Sequence, residues 1–180
     1  SVYVFFADGF VEVEGLTAVD LLRRAGVDVK MVSIMGRLQI TGAHNISVNT
    51  DILIEDIKEE ADMLVLPGGM PGTNYLREHE GLAELLKKQY KAGKWVAAIC
   101  AAPSVLGELG FLKDKKATSY PGCLEGILVG EYSEEAVVVD DNVITSRGVG
   151  TAIAFALSLI EVLAGKEKSE EVAASIIYSA

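Results

Sequence analysis

Cys100 is the residue of this sequence whose type and position are best suited to chemistry. The apolar run WVAAI at 95–99 predicts a buried strand, and the residues after Cys100 predict a short helix that ends at Gly110. A cysteine at such a sharp strand-to-helix turn has the geometry of a nucleophile elbow, in which serine is the usual residue. Free N–H groups at a helix start favour a thiolate. The alternative is a buried cysteine that packs as a small hydrophobe.

Two other predicted strands end in polar or glycine-rich turns, and a parallel sheet places these turns at the same edge as Cys100. The residues that follow those strands are, in chain order, Glu12, Glu14, Gly68 and Gly69. A carboxyl group beside a thiolate can accept and return protons. Backbone N–H groups at glycines can stabilise an oxyanion, because glycine lets a substrate approach the backbone closely.

A thiolate beside a carboxylate is an unfavourable pair of negative charges, so we expect the two groups to share one proton. The prediction is that Glu14 is protonated when Cys100 is a thiolate. Without a thiol nearby, Glu12 and Glu14 would be ordinary first-turn acids that the helix dipole favours.

The elements that must position these groups alternate between strands and helices. A strand at 2–6, a helix at 11–25 and a second strand at 27–34 form a βαβ unit, which implies a parallel sheet. The apolar residues that recur every three positions predict the buried face of the helix, and they are Val13, Leu16, Val19 and Leu22.

The rest of the chain continues this alternation. The predicted elements are a hairpin or loop at 36–50, a short helical stretch within 51–60, a strand at 63–66, one or two helices at 75–92, a short strand at 117–119, a hairpin of 136–139 with 143–145, and helices at 149–164 and 167–178. We therefore predict one domain over residues 1–180, an α/β flavodoxin-like doubly wound sandwich with a mostly parallel central sheet. Ligands of such folds lie beyond the carboxyl ends of the strands.

Composition narrows the classes of partner. The net charge is -10 and no basic stripe is visible, so neither nucleic acid nor a membrane is an expected partner. Two cysteines are too few for a disulfide framework, and no segment is long enough to span a bilayer, so we predict a cytoplasmic protein. The histidines His44 and His79 lie far apart and no metal-ligand spacing is present, so no metal and no cofactor are expected.

Five segments give the sequence a resemblance to the ThiJ/PfpI superfamily over nearly the whole chain. They are FADGFVEVEGLTAVDLLRRAG, DMLVLPGGMPG, AAICAAPSVL, VITSRGVGTAIAFAL and LIEVLAGKE. Within the superfamily the sequence is most similar to the branch of the parkinsonism-associated protein DJ-one and its bacterial relatives. The resemblance implies a flavodoxin-like sandwich that forms a homodimer.

The resemblance also implies roles for single residues. The reactive cysteine of the family falls on Cys100, and its protonated glutamate falls on Glu14. The oxyanion backbone falls on Gly69 and Ala101. The arginine that borders the dimer side of the pocket falls on Arg147.

Three positions depart from relatives within the family. His44 stands where the human parkinsonism-associated protein of this branch has an arginine on the hairpin. Ala101 replaces the histidine that follows the cysteine in protease-like members, which removes their catalytic dyad. Tyr120 precedes Pro121 where glyoxalase-type members often have a histidine, and a tyrosine hydroxyl is a poor base near neutral pH.

Three functions compete. The first is a cofactor-free enzyme for reactive α-oxoaldehydes such as methylglyoxal, or for their glycated adducts, in which Cys100 attacks the aldehyde and Glu14 shuttles a proton. The second is a redox-responsive stress protein or chaperone whose Cys100 is oxidised to a sulfinate. The third and weakest is a cysteine peptidase or amidase, which Ala101 disfavours.

Overall fold

A central seven-stranded sheet with helices on both faces forms the protein, whose residues 1–179 are described by a computed structural model. The strands in chain order are β1 (Val2–Phe6), β2 (Val29–Ser33), β3 (Gln39–Thr41), β4 (Ser47–Asn49), β5 (Ile52–Leu53), β6 (Met63–Leu66), β7 (Trp95–Ile99), β8 (Lys116–Ala117), β9 (Glu131–Tyr132), β10 (Val137–Asp140) and β11 (Val143–Ser146). The helices are α1 (Glu12–Arg24), α2 (Gly72–Glu78), α3 (Glu80–Lys91), α4 (Pro103–Glu108), α5 (Ala152–Ala164) and α6 (Lys166–Ser175). Short 3-10 turns lie at Ile54–Asp56 and Val149–Thr151.

The order of strands in the main sheet is β10-β11-β7-β6-β1-β2-β5. All neighbouring strands run parallel except β10, which pairs antiparallel with β11. The predicted flavodoxin-like sandwich with a mostly parallel sheet is therefore confirmed. Because β1, β6 and β7 are adjacent and parallel, the turns that follow them meet at one edge, as the sequence predicts.

The sheet is buried on both faces. Alternate residues of β1 divide between two cores: Val2, Val4 and Phe6 pack on the side of α1 and α5, whereas Tyr3 and Phe5 pack on the side of α3 and α4. A strand buried on both faces needs a continuous apolar run rather than an alternating one, and VYVFF is such a run. Packing in these two cores holds the strands in place, and with them the turns at their carboxyl ends where the candidate site lies.

Some elements differ from the predictions. Val13 is 49% exposed, and α1 instead buries Gly15, Ala18, Val19 and Leu22 together with its two glutamates. The prediction placed apolar residues every three positions, starting at Val13. An α-helix has 3.6 residues per turn, so residues spaced by exactly three move gradually around the helix and cannot all lie on one face. Residues 51–60, predicted to contain a short helical stretch, form the strand β5 followed by the 3-10 turn at Ile54–Asp56.

The excursion after β2 is a hairpin, in which β3 pairs antiparallel with β4. The parallel two-residue pair of β8 and β9 forms a third, small sheet, and β9 lies in a stretch for which the sequence predicts no element. Strands of two residues carry no readable periodicity, which explains why β5 and β9 escape prediction. No helix within residues 1–179 has both the length and the apolar character needed to cross a membrane.

Candidate active site

Cys100 occupies the sharp turn between β7 and α4, as predicted, and its backbone has a φ of 67°. This left-handed conformation is uncommon for a residue other than glycine, and it is held in place from both sides. The N–H of Cys100 donates to the carbonyl of Ser146 at 3.1 Å, and its own carbonyl accepts from the N–H of Tyr120 at 2.8 Å. The turn therefore presents a half-buried thiol at the carboxyl edge of the sheet.

Glu14 supplies the carboxyl group that the structure brings to this thiol. It lies in the first turn of α1 and is only 1% exposed. Its Oε1 accepts a hydrogen bond of 3.0 Å from the N–H of Gly68. Its Oε2 is buried and has no hydrogen-bond partner among residues 1–179. One oxygen is thus fixed by the backbone and the other remains available to the thiol or to a bound molecule.

Gly68 is packed between the two candidate catalytic groups. A Cβ atom at this position would lie 2.6 Å from the Cβ of Cys100 and 2.8 Å from Oε1 of Glu14. Glycine is required here because the two side chains approach the backbone from both directions. The sequence predicts an oxyanion role for the Gly68 N–H, but that donor is already bound to Glu14, so the residue positions the carboxyl group instead.

The remaining oxyanion candidates are Gly69 and Ala101. Gly69 adopts a φ of 105° and sits close to the backbone of Val11 and Gly9, where a Cβ would collide. Ala101 directly follows the elbow, and its N–H interacts with the sulfur of Cys100; this contact favours the thiolate but is outweighed by burial and by Glu14, which raise the pKa of Cys100. Ala101 is therefore the donor that reaches the reacting atom itself.

The electrostatics of Cys100 and Glu14 are coupled. Burial raises the pKa of Glu14. Burial, followed by the charge of Glu14, raises the pKa of Cys100 to about 12. The second contribution exists only while Glu14 is ionised, because a protonated carboxyl group carries no charge and donates to sulfur instead. Because the charge of Glu14 opposes ionisation of the thiol, the two groups titrate as a coupled pair.

Glu12, the other predicted carboxylate, turns away from the thiol. It accepts hydrogen bonds from the N–H of His44 at 2.8 Å and of Ile46 at 3.1 Å, and it contacts the ring of His44 at 3.1 Å. Burial opposes ionisation, but these hydrogen bonds outweigh it, so the pKa of Glu12 is lowered. The structure thus assigns Glu12 to the hairpin between β3 and β4.

His44 does not line the cavity at Cys100, contrary to its predicted pocket position. Its side chain is 74% exposed and is held by Glu12 on the hairpin. The reason is the direction of Glu12 on α1. Residues two apart on a helix point to different sides, so Glu12 faces the hairpin while Glu14 faces Gly68. Within a single chain, the hairpin anchor and the thiol–carboxyl pair are separate features.

A cavity of about 490 Å³ opens above Cys100, and we call it the Cys100 cavity. Its lining residues are Val11, Glu14, Cys100, Tyr120, Pro121, Arg147, Gly148, Val149, Gly150 and Thr151. Of the predicted pocket residues, Tyr120 and Arg147 line this cavity. The segment 148–151 was missed by the strand-end argument, although β11 runs parallel to β7 and so ends at the same edge.

Arg147 forms one wall of the Cys100 cavity and is held by neighbours. Its Nε donates to the carbonyl of Ser119 at 3.1 Å, and its NH2 group donates to the hydroxyl of Tyr132 at 3.0 Å. Glu134 lies 3.7 Å from its NH1 group. The guanidinium therefore supplies a fixed positive charge at the cavity border.

No cluster of three or more metal-ligating side chains occurs among the residues that the structure describes. The chemistry available at this edge is that of a thiol, a buried carboxyl group, backbone donors and a border arginine.

Fold and site together define the class of protein: a flavodoxin-like α/β protein with a cysteine elbow beside a buried glutamate. The chain belongs to the DJ-1/PfpI family, whose family model matches residues 1–162. It is 40% identical over 183 residues to Protein dj-1beta of Drosophila melanogaster, which covers 99% of this chain and 97% of that protein.

Two other relatives bear on function. A Pyrococcus abyssi protein named as a deglycase is 34% identical over 165 residues, which covers 90% of this chain and 98% of that protein. The solved structure of Toxoplasma gondii DJ-1, described as oxidized, superposes with a TM-score of 0.95 at 36% identity and covers 99% of this chain and 98% of that one.

Proposed function

We propose that the protein is a cofactor-free enzyme that acts on reactive α-oxoaldehydes such as methylglyoxal, or on their adducts with amines and thiols. Cys100 is the nucleophile and Glu14 is the general acid and base. The observation that carries this proposal is the cysteine elbow, with its left-handed backbone, beside the buried carboxyl group of Glu14. The family and the deglycase relative support it.

The reaction begins with addition of the Cys100 sulfur to the aldehyde carbon. A C–S bond forms, the carbonyl oxygen takes a proton, and the product is a hemithioacetal. With an amine adduct as substrate, the C–S bond forms as the C–N bond breaks, and the amine leaves with a proton. The N–H of Ala101 stabilises the developing negative charge beside the sulfur.

The second step is an internal oxidation and reduction that needs no external electron carrier. Glu14 removes the proton on the carbon bonded to sulfur and returns it to the neighbouring carbonyl carbon, while the hydroxyl proton of the first carbon passes to the oxygen of the second. The first carbon is oxidised to a thioester and the second is reduced to an alcohol. Water then cleaves the thioester, which releases lactate and restores the thiol.

Methylglyoxal consumption with lactate detection tests this proposal. The protein is compared with Cys100→Ser and with the matched control Cys123→Ser, which removes the other free thiol of the chain. The proposal expects lactate from the unmodified protein and from Cys123→Ser, and none above background from Cys100→Ser. Equal turnover in all three proteins would sink the assignment of Cys100.

A second candidate is a redox-responsive stress protein or chaperone whose Cys100 is oxidised to a sulfinate. The partnerless Oε2 of Glu14 favours it, because a protonated carboxyl group there can donate to a sulfinate oxygen. The structure of the Toxoplasma gondii relative, described as oxidized, is compatible with it. Intact-mass measurement after peroxide tests it: Cys123→Ser should gain two oxygens and Cys100→Ser should not. A peptidase remains disfavoured by Ala101.

We also propose that the protein works as a homodimer in a reducing, cytoplasmic setting. Large apolar side chains are exposed near the site, with Val13 on α1, Ile153 on α5 and Val149 at the Cys100 cavity. Because α1 and α5 pack against each other, Val13 and Ile153 offer apolar surface on adjoining helices. Sedimentation velocity should give a dimer for the unmodified protein and a monomer for Val13→Glu, whereas a monomeric unmodified protein would contradict the proposal.

A further inference from the structure

A second cavity, of about 560 Å³, lies beside the Cys100 cavity, and we call it the flanking cavity. The two cavities share Pro121 and Arg147 as lining residues. The other residues that line the flanking cavity are Gly122, Leu124, Glu125, Ile127, Val129, Tyr132 and Glu134. The two cavities therefore adjoin along the border formed by Pro121 and Arg147.

The floor of the flanking cavity is apolar. Leu124 is buried, and Ile127 and Val129 are half-buried, so these side chains are already part of the packed structure. The Arg147–Tyr132 hydrogen bond of 3.0 Å fixes the wall toward Cys100. A preformed apolar floor with few polar groups at its border is typical of a small-molecule or side-chain subsite.

The combined space is much larger than a free oxoaldehyde requires. Cavities of about 300–1,000 Å³ bury drug-sized ligands, and each of these two cavities lies within that range. Methylglyoxal fills only a small part of the Cys100 cavity. The space therefore allows a substrate that is attached to a larger carrier.

Charge indicates which kind of carrier fits. Two exposed carboxylates stand at the border of the flanking cavity: Glu134 lies 3.7 Å from the guanidinium of Arg147, whereas Glu125 has no ion-pair partner among residues 1–179. The chain as a whole carries a net charge of -10. Peptides that contain lysine or arginine complement this charge. The amine and guanidine groups of those residues are also the nucleophiles that capture oxoaldehydes.

We propose that the flanking cavity is a subsite for an apolar side chain of a peptide whose modified lysine or arginine occupies the Cys100 cavity. The preferred substrates are then oxoaldehyde adducts that neighbour an apolar residue. This inference rests on the proposed function for its chemistry at Cys100, but the subsite itself is defined by binding and can be measured without turnover.

The probe is a short fluorescent peptide in which lysine carries a lactoyl amide, a stable analogue of the adduct, next to leucine. A second peptide has alanine in place of leucine. Fluorescence anisotropy with Cys100→Ser protein should show that the leucine peptide binds on the order of tenfold more tightly, since an apolar pocket discriminates by about that factor. Equal affinities for the two peptides would overturn the proposal, and this test needs no substitution in the flanking cavity.

Two tryptophan variants then locate the preference. Val129→Trp fills the flanking cavity and should abolish the difference between the peptides. Leu128→Trp is the matched control, because Leu128 is adjacent in sequence, 72% exposed and outside the lining. A preference that survives Val129→Trp would contradict the subsite. A change of oligomeric state in Val129→Trp would show that the cavity belongs to an interface between copies, which would also contradict it.

The outcomes separate this inference from the proposed function. Lactate production from methylglyoxal without any peptide preference would leave the enzyme standing and refute the subsite. A leucine preference that depends on Val129, in a protein that makes no lactate, would support the subsite and refute the chemistry.

Discussion

The N–H of Gly68 donates a hydrogen bond of 3.0 Å to Oε1 of Glu14, across 54 positions of the chain, and fixes the carboxyl group beside the Cys100 elbow. The contact joins the turn after β6 to the first turn of α1. It exists because β1, β6 and β7 are adjacent and parallel, so that their following turns meet. The geometry of the candidate site is thus a direct consequence of strand order.

The first prediction concerns the space at Gly68. Gly68→Ala places a Cβ 2.6 Å from the Cβ of Cys100 and 2.8 Å from the carbonyl of Ile99, and the backbone cannot yield easily. We expect a loss of about 1–3 kcal/mol in the free energy of unfolding, the usual effect of overpacking, together with reduced turnover. Urea unfolding measures the loss. Gly150→Ala is the control, because no atom lies within 4 Å of its added Cβ; equal stabilities of the two variants would contradict the account.

The second prediction concerns the buried carboxyl group of Glu14. Its pKa is raised in the folded protein by burial, so the folded state keeps a proton that the unfolded state releases from about pH 4.5 upward. The stability linked to that proton is fully present below this pH and is lost as the pH rises through the folded pKa. Glu14→Gln removes this loss, while its side-chain oxygen can still accept from Gly68.

Glu14→Gln should therefore have a higher melting temperature than the unmodified protein at neutral pH, and the difference should shrink toward acid. A change of 1 kcal/mol corresponds to about 2–4 °C for a chain of this size, so thermal unfolding at several pH values can resolve it. The exposed Glu78→Gln is the control for the loss of one carboxylate charge elsewhere on the surface. A difference that stays constant with pH would mean that Glu14 has an ordinary carboxyl pKa.

The third prediction concerns the hairpin of β3 and β4, where the dependence of stability on pH has the opposite direction. Hydrogen bonds lower the pKa of Glu12, so the stability that they provide is present above about pH 4.5 and is lost as the pH falls through the lowered folded pKa. Glu12→Ala should speed amide exchange at His44 and Ile46, whose N–H groups lose their acceptor. Hydrogen exchange with residue resolution measures this effect. Unchanged protection at both amides would contradict the assignment of Glu12 to the hairpin.

The candidate site divides into what the sequence could and could not predict. Cys100 and Glu14 were predictable because strand ends and helix starts follow from local patterns, and a parallel sheet gathers them. The different directions of Glu12 and Glu14 were not, because they depend on which neighbour each helix face meets. The segment 148–151 was also out of reach, because periodicity identifies the hairpin of β10 and β11 but not the parallel pairing of β11 with β7.

The central claim is that Cys100 and Glu14 share one proton, on which both the aldehyde chemistry and the oxidation depend. The most direct measurement is the rate of Cys100 alkylation as a function of pH, in a Cys123→Ser background that removes the other thiol. With Glu14 present, the profile should show two steps: a first plateau when the pair loses one of its two protons, and a further rise toward a pKa of about 12 when it loses the second. Glu14→Gln should give a single step, at a pH below the second step of the unmodified profile, because no carboxylate charge opposes the thiolate. Identical single-step profiles with and without Glu14 would contradict the claim.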